Sequence, residues 1–560
     1  MHKENKIFRV IIFFLLGIPA ILVAVFVIIA FYLYYTVDFR QPYVDIDLSK
    51  YELSVDTDTL RVCDNSTLYL NQYGLWEAYV SGNSIERGTK YGILFEDLLE
   101  YQEDVFVNQI YKIVPSESRI KFLHKFIAIF NRDMADYIPD EYREEIYAMS
   151  VSATDKYNIY GTPYSRQLNY HAAHDIGHTM QQYMLVGCSS FACWDKESET
   201  KDLIIGRNFD FYVGDDFAKN KVVFFVEPTQ GYRFASISWP GMMGVLSGMN
   251  EKGLTVTINA AKGSMPISAK IPISLLARHI LQYASNIEEA YEIAQQFDTF
   301  VSESLLIGSV SDGCAAIIEK TPKKNALYKP NKSRIICTNH YQSDVFVDDE
   351  YNMENICSSD SPYRYNRLNE LLDELMPINT DDAVDILRNR YGVDNSDIGL
   401  GNEMSLNQFI AHHSVVFNPG ELKFWVSTSP WQLGEYVCYD LNNVFDTSRN
   451  VVSSYAVGKL NIPADSIALN DEYIRIIKYR EDYKIINTAI DNNEVLKDDF
   501  VENFIANNPN YFQVYNILGD YEISRNNSLQ AVNYWKKSLS LEIPKTSERD
   551  NIIAKIEQYD

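Results

Sequence analysis

The texture of this chain changes at Gly187, and the change narrows the folds open to it. From about Tyr51 to Gln182, apolar residues recur at three- and four-residue spacing, as in Ile120-Lys-Phe-Leu-His-Lys-Phe-Ile-Ala-Ile-Phe and Glu141-Tyr-Arg-Glu-Glu-Ile-Tyr-Ala-Met. That is the period of an amphipathic helix, so this stretch reads as a helical lead-in. After Gly187 come short β-type runs: Leu203-Ile-Ile-Gly, Val222-Val-Phe-Phe-Val, Phe234-Ala-Ser-Ile-Ser-Trp, Gly253-Leu-Thr-Val-Thr-Ile-Asn and Ala315-Ala-Ile-Ile-Glu. Helical patterns at 271–285, 287–297 and 363–375 interrupt them, and Asn418-Pro419-Gly420 marks a hairpin. Strand runs separated by helices predict an α+β layered domain over 188–460. From about Ser466 the chain is helical and polar again. Tyr515, Leu518, Gly519, Ala531 and Trp535, with Pro544 beyond them, fall near the spacing of a single tetratricopeptide (TPR) motif. The tail 466–560 therefore reads either as a TPR-like unit able to hold a protein partner or as a plain helical cap.

A second constraint lies at the N-terminus. Val10 to Tyr35 carries no charged residue and exceeds the roughly 20 residues needed to cross a bilayer. It predicts a transmembrane helix over 10–35, between a cytoplasmic tail 1–9 and a segment 36–187. A signal peptide is the rival, but its apolar core is usually about 7–15 residues and ends at small residues, whereas Phe31-Tyr-Leu-Tyr-Tyr follows here. Lys3, Lys6 and Arg9 precede the run, so a single-pass protein with a cytoplasmic N-terminus and an extracytoplasmic catalytic domain is expected. The formal net charge of -26 argues against a nucleic-acid partner, because phosphate binding needs a basic stripe. Seven cysteines, an odd number, leave at least one thiol unpaired even where disulfides form.

One of those thiols stands in a telling context. Gly187-Cys188-Ser189-Ser190-Phe191-Ala192 is followed by Leu203-Ile-Ile-Gly-Arg207-Asn208-Phe209-Asp210. An ordinary thiol, pKa near 8.5, is mostly protonated at neutral pH and needs a base and a positive neighbour to act as a nucleophile. If the bond before Cys188 is broken, the freed α-amine, with a reference pKa of about 7.7–8.0, lies a few atoms from its own sulfur and can be that base. Gly187 offers no side chain to block attack by Cys188 on the Gly187 carbonyl, so self-cleavage through a thioester follows from the same residues.

The segment resembles the nucleophile region of the N-terminal-nucleophile (Ntn) hydrolases that include acid ceramidase-like amidases, choloylglycine hydrolases and the acyl-coenzyme A:6-aminopenicillanic acid acyltransferase-like enzymes of peptidase family C45. Gly248-Met249-Asn250-Glu251-Lys252-Gly253-Leu254 through Asn259, Thr338-Asn339-His340, and Ser361-Pro362-Tyr363-Arg364-Tyr365-Asn366-Arg367 resemble later segments of the same family. The resemblance spans roughly 170–429. It implies an αββα sandwich of two antiparallel sheets between helical layers, with Cys188 as nucleophile after cleavage between Gly187 and Cys188. It further implies that Arg207 sets the electrostatics at the sulfur, Asp210 orients the α-amine, and Asn259 and Asn339 donate to the oxyanion. A functional arginine is implied at Arg364, with Arg367 as the alternative, while Asn250 reads as a turn residue.

The expected reaction is acyl transfer from a linear, non-peptide amide to Cys188 and then to water, or to an amine in an acyltransferase. No cofactor and no metal are expected. Candidate substrates are N-acyl amino acids, N-acylethanolamines or other lipid amides, β-lactam-type amides and bile-salt-like conjugates. Three other chemistries compete. Cys193 is a second possible nucleophile, but no glycine precedes it. His171, His174 and His178 lie at i, i+3 and i+7, yet Asp175 stands where a zinc-protease helix needs Glu, and Gly177 weakens the helix. No Gly-x-Ser-x-Gly elbow of a serine hydrolase is present. The non-enzymatic alternative is a membrane-tethered scaffold whose tail binds a partner.

Overall fold

The computed structural model describes residues 17–35, 41–114, 116–172, 175, 185–266, 268–446 and 453–559. The runs that are apolar at every position are strands buried on both faces. In Val222–Pro228, Val223 and Phe225 point into one core while Val222 and Phe224 point into another, as the two-residue period of a strand requires. In Cys314–Lys320, Ala315 and Ile317 divide from Ala316 and Ile318 in the same way.

Two sheets result. The first runs, edge to edge, through β1 (Leu53–Asp56), β2 (Leu60–Cys63), β3 (Ser66–Leu70), β4 (Trp76–Gly82), β8 (Val222–Pro228), β9 (Phe234–Ser238), β10 (Ser247–Asn250), β11 (Leu254–Ala260), β12 (Glu303–Ser309), β13 (Cys314–Lys320) and β14 (Asn325–Tyr328). The second runs β15 (Arg334–Cys337), β6 (Ser189–Cys193), β7 (Ile204–Tyr212), β16 (Ala411–Asn418), β17 (Lys423–Ser427) and β18 (Tyr436–Asp440), with β5 (Leu185–Val186) also paired to β7. Neighbouring strands are antiparallel except β4 and β8, which are parallel. Between the sheets lie Ile205, Val223, Phe225, Ile237, Ile317, Val415, Phe417 and Val437; fully burying one such side chain is worth about 1.5–3 kcal/mol. Helices Ser84–Ile113, Asp140–Ser150, Ile273–Tyr283 and Ile287–Gln296 cover the outer face of the first sheet through residues such as Leu94, Phe95, Ile146 and Ile280. Helices Ser361–Leu375 and Thr380–Leu387 cover the second through Leu368, Leu372, Val384 and Leu387. The layers are thus helix, sheet, sheet, helix.

Three sequence expectations need correction. The membrane-spanning helix expected over Val10–Tyr35 is not supported, because among the described residues no helix is long and apolar enough to cross a membrane. The helix described runs Ile18–Tyr35, 18 residues, or about 27 Å at 1.5 Å per residue, short of the roughly 30 Å hydrocarbon thickness. Gly17 and Pro19 place two helix-weakening residues inside the uncharged run, and 10–16 lie outside the described residues. The single-pass topology and extracytoplasmic placement rested on that span and fall with it.

Second, 53–82 is not part of a helical lead-in but forms four strands. Leu53-Ser-Val-Asp alternates half-buried with exposed, and the Thr-, Val- and Tyr-containing runs that follow suit a pleated surface. Because β4 pairs with β8, the segment before Gly187 is woven into the sheet that follows it.

Third, the TPR reading of the tail is not supported. Helices Asp471–Asn492, Asp498–Asn507, Phe512–Ser524, Ser528–Leu539 and Thr546–Tyr559 enclose their own core of Ile486, Phe504, Leu518 and Trp535, and this core takes in Phe409 and Leu433 of the layered domain. The tail is a helical cap. Gly519 has a packing purpose there, since a Cβ at this position would lie 2.2 Å from Trp535 Nε1 and 2.4 Å from its Cδ1. Gly519→Ala is therefore expected to cost about 1–3 kcal/mol through overpacking, read as a lower midpoint in chemical denaturation.

Candidate active site

Cys188 immediately precedes β6, and the β6–β7 ladder determines which way each side chain faces. Ser190 pairs with Arg207 and Ser189 with Asn208, so alternation places Cys188, Ser190 and Arg207 on the face between the sheets and Ser189, Asn208 and Asp210 on the helical face. Cys188 is 1% exposed and Arg207 0%. Arg207 Nη2 donates to Cys188 Sγ at 3.7 Å and to the Ile258 carbonyl. Its Nη1 donates to Ser247 Oγ at 2.5 Å, and its guanidinium stacks 4.3 Å from the Phe209 ring centroid. Burial pushes the Cys188 thiol up to about 11 despite Arg207, with Asp210 and Glu303 raising it further. While residues 187 and 188 are joined, the sulfur is therefore a neutral thiol at physiological pH.

Asp210 sits directly across from the bond before Cys188, for Gly187 N donates to the Asp210 carbonyl at 3.1 Å. Its carboxylate is fully buried and, among the described residues, neither oxygen has a hydrogen-bond partner. Desolvation raises its pKa to about 8, against the lowering pull of Arg364 and Arg207. Two buried acceptors without donors are costly, and a donor arriving at this point would relieve that cost.

Arg364 reaches the same spot from the helix Ser361–Leu375. Its Nη1 donates to the Cys188 carbonyl at 2.6 Å and to Ser189 Oγ at 2.9 Å, its Nη2 to Asn339 Oδ1 at 2.7 Å, and its Nε to Asp360 at 2.8 Å. Arg367 faces elsewhere, bonded to Asn389, Glu370 and Asn395. Of the two arginine alternatives, the structure brings Arg364 to Cys188.

The two asparagines differ. Asn259 Nδ2 donates to the carbonyls of Cys337 at 2.8 Å and Thr338 at 3.3 Å, while its Oδ1 accepts from Ser190 Oγ at 2.9 Å. Both of its amide hydrogens thus tie β11 to the end of β15. Asn339 Nδ2 donates to Ala260 O at 2.8 Å, which leaves one amide hydrogen for another acceptor. Asn250 is a turn residue, accepting from the Lys252 and Leu254 amides at 3.0 Å each.

The rival chemistries separate on geometry. Cys193 faces the helical layer with Phe191 and lies beside Glu197 and Arg334, its thiol pushed up to about 12 by burial. His171 is held at both nitrogens, Nδ1 by Gln167 O at 2.8 Å and Nε2 by Met243 N at 2.9 Å; His174 and His178 lie outside the described residues. Among the described residues no cluster of metal-ligating side chains is found. All seven cysteines are free.

Sequence reasoning missed His412, His413, Ser247 and Gln408. Ser247 Oγ lies 2.8 Å from His413 Nε2, and His413 Nδ1 lies 3.0 Å from His412 Nδ1. A register shift between Ala411 and His413 lets both rings be buried, and burial holds both well below the usual imidazole range. Gln408 Nε2 lies 3.4 Å from the Gly187 carbonyl oxygen. The His-His pair before a predicted hairpin strand was the available signal; Gln408 carried none. Beyond Phe209, which stacks on Phe211 with ring centroids 5.6 Å apart, a small pocket is lined mainly by apolar residues, including Leu99, Phe106, Phe211, Phe217, Trp239 and Met242.

Residues 195–426 match the family described as acyl-coenzyme A:6-aminopenicillanic acid acyl-transferase. The matched stretch, under half of the chain, is similar to that acyltransferase family. The acyltransferase match begins downstream of Cys188 and includes Arg207, Asp210, Asn259, Asn339 and Arg364. An uncharacterized protein of Archaeoglobus fulgidus is 22% identical over 404 residues, a match covering 64% of this chain and 65% of that protein, so the chain spans just under two thirds of this relative. Among solved structures, a Caenorhabditis elegans N-acylethanolamine-hydrolyzing acid amidase ortholog aligns at a TM-score of 0.31 and 15% identity, covering 42% of this chain and 93% of its own. A mutant form of the conjugated bile acid hydrolase from Clostridium perfringens aligns at a TM-score of 0.30 and 13% identity, covering 46% of this chain and 92% of its own.

The raised pKa of Asp210 has a consequence for stability. Its folded value of about 8 lies above the ordinary carboxylate value near 3.9, so folding takes up a proton. The stability this confers is complete below about pH 4 and is lost as pH rises through about 8. Asp210→Asn stays neutral throughout. In chains with residues 187 and 188 joined, its melting temperature relative to the parent is expected to rise from pH 5 to pH 8; parallel profiles would contradict the assignment.

Proposed function

We propose that this chain is a cysteine amidohydrolase of the Ntn type, activated by its own cleavage between Gly187 and Cys188, that breaks linear non-peptide amides through an acyl-thioester on Cys188. The observation that carries this reading is the junction itself: a buried sulfur in contact with Arg207, beside the Asp210 carboxylate, which has no hydrogen-bond partner among the described residues and faces Gly187 across the ladder. Cleavage creates an α-amine at Cys188. That amine supplies the donor that Asp210 lacks, and its lone pair takes the thiol proton as the sulfur attacks the substrate carbonyl. Arg207 favours the thiolate. Asn339, with an amide hydrogen to spare, is the better placed of the two asparagines to donate to the oxyanion, a contribution of about 3 kcal/mol in comparable sites; Asn259 then acts by holding the end of β15. Arg364 fixes both the Cys188 carbonyl and the Asn339 side chain, and so positions nucleophile and donor together.

Hydrolysis needs a water at the thioester, whereas transfer needs an amine acceptor there, and the same residues serve both outcomes. The mainly apolar lining of the small pocket at Phe211 and Trp239 suits an apolar group on the acyl side of the substrate, because such surface is best covered by carbon. Cleavage need not separate the products, since the β4–β8 ladder and the shared core bind the two pieces.

The test is direct. The wild-type chain is expected to run as fragments of about 22 and 43 kDa, at roughly 115 Da per residue, with the larger beginning Cys-Ser-Ser-Phe. Cys188→Ala is expected to remain one chain and to release no acid from an acyl-amide library read by mass spectrometry, while Cys193→Ala is cut and active. An active enzyme whose residues 187 and 188 stay joined would overturn the proposal.

A further inference from the structure

Self-cleavage needs an oxyanion donor of its own, because the carbonyl attacked is Gly187's and not a substrate's. The geometry points to Gln408 as that donor and to the C-terminal helical cap as the element that holds Gln408 in place. The inference rests on the self-cleavage reading above and names the machinery for it.

Gln408 is 2% exposed, and its Nε2 lies 3.4 Å from the Gly187 oxygen. That is long for a ground-state hydrogen bond. Contacts of this kind tighten as the oxygen gains negative charge, which is what a transition-state donor requires. The same side chain accounts for glycine at 187: a Cβ there would lie 2.7 Å from Gln408 Nε2 and 3.1 Å from its Oε1. Any side chain would push away the amide that faces the carbonyl.

The loop bearing Gln408 is fastened from the cap. Arg480 Nη2 donates to the Phe409 carbonyl at 2.7 Å, and its guanidinium lies 4.7 Å from the Trp431 ring centroid. Asn508 pairs with the backbone of Leu400 in both directions at 2.8 Å, and Asn402 donates to the Glu542 carbonyl at 3.1 Å. The Phe409 side chain is part of the cap's own core. Gln408 Nε2 also donates to the Glu403 carbonyl within the loop at 3.2 Å. The residue that would polarise the bond is therefore placed by helices that begin some sixty residues further along the chain. Cleavage then waits until the helical cap has folded.

The chemistry balances. The Cys188 thiol adds to the Gly187 carbonyl carbon, forming C–S, and the oxygen becomes an oxyanion facing Gln408. The thiol proton passes to the Cys188 nitrogen, the C–N bond breaks, and a Gly187 thioester and a free amine result. Water then adds to the thioester, leaving a Gly187 carboxylate and returning a proton to the sulfur.

Full-length chains made by cell-free translation can be followed for fragment formation with and without hydroxylamine, which captures a thioester. Wild type is expected to be cut, and faster with hydroxylamine. Gln408→Ala is expected to be cut on the order of 100-fold more slowly and not to be rescued by hydroxylamine, because thioester formation is then limiting. Arg480→Ala is expected to be slowed less, with the same lack of rescue. Thermal melts identify variants that fail to fold; if Gln408→Ala is among them, Gln408→Glu, matched in size but without the donor, gives the result. A wild-type cleavage rate in the folded Gln408 variant would overturn Gln408 as donor while leaving self-cleavage standing. A wild-type rate in Arg480→Ala would overturn the role of the cap. A wild-type chain that is never cut would overturn the self-cleavage reading itself.

Discussion

The interior of this protein is organised around a guanidinium that has no access to water. Arg207 is 0% exposed, and a buried charge survives only where neighbours replace its hydration. They come from all sides: Ser247 on β10, the Ile258 carbonyl on β11, the Phe209 ring on its own strand and the sulfur of Cys188. His413 on β16 closes the set through Ser247. Both sheets are thus fastened at one point, and the sulfur of Cys188 is the softest member of the group. Removing the cation would take a donor from Ser247, the Ile258 carbonyl and the thiol together, so the site and the sandwich are not independent structures.

How much of this could be read from the residues depended on the range of the interaction. The β6–β7 hairpin was legible only through the family resemblance, whereas the turn at Asn250 could be read from its residues alone. The strands at 53–82 were misread as helical because they are short and half-exposed, and because their partner β8 lies some 140 residues onward; no local period reports a parallel pairing of that range. Arg364 and Arg367 differ by less than a helical turn, and only the packing of that helix on β6 distinguishes them. Gln408 was invisible for the same reason as β4: its meaning lies in a carbonyl more than 200 positions away.

The apolar N-terminal run shows the converse failure, in which a strong local signal outweighs its context. Composition alone placed 10–35 in a bilayer, yet the described helix begins at Ile18 and is too short to span. The cap shows a milder version. Its five spaced residues do pack as a helical pair, but what Gly519 secures is close approach to Trp535, a requirement of any tight helix crossing.

Under the proposed cleavage, the protonation states around Cys188 would keep the uncut chain quiet toward an amide substrate. With the peptide bond intact, the thiol is pushed up to about 11 and Asp210 up to about 8, so both groups are neutral at pH 7 and neither activates the other. Under the proposed cleavage, one amide nitrogen becomes an amine with a reference pKa near 8. A protonated amine beside Asp210 favours the carboxylate, and the paired carboxylate holds the amine within reach of the sulfur. Three groups that are inert separately then share protons within the same few ångströms. The change needs no domain movement and no new residue, only the loss of one bond, which is why the step that breaks it is the natural place for the fold to exert control.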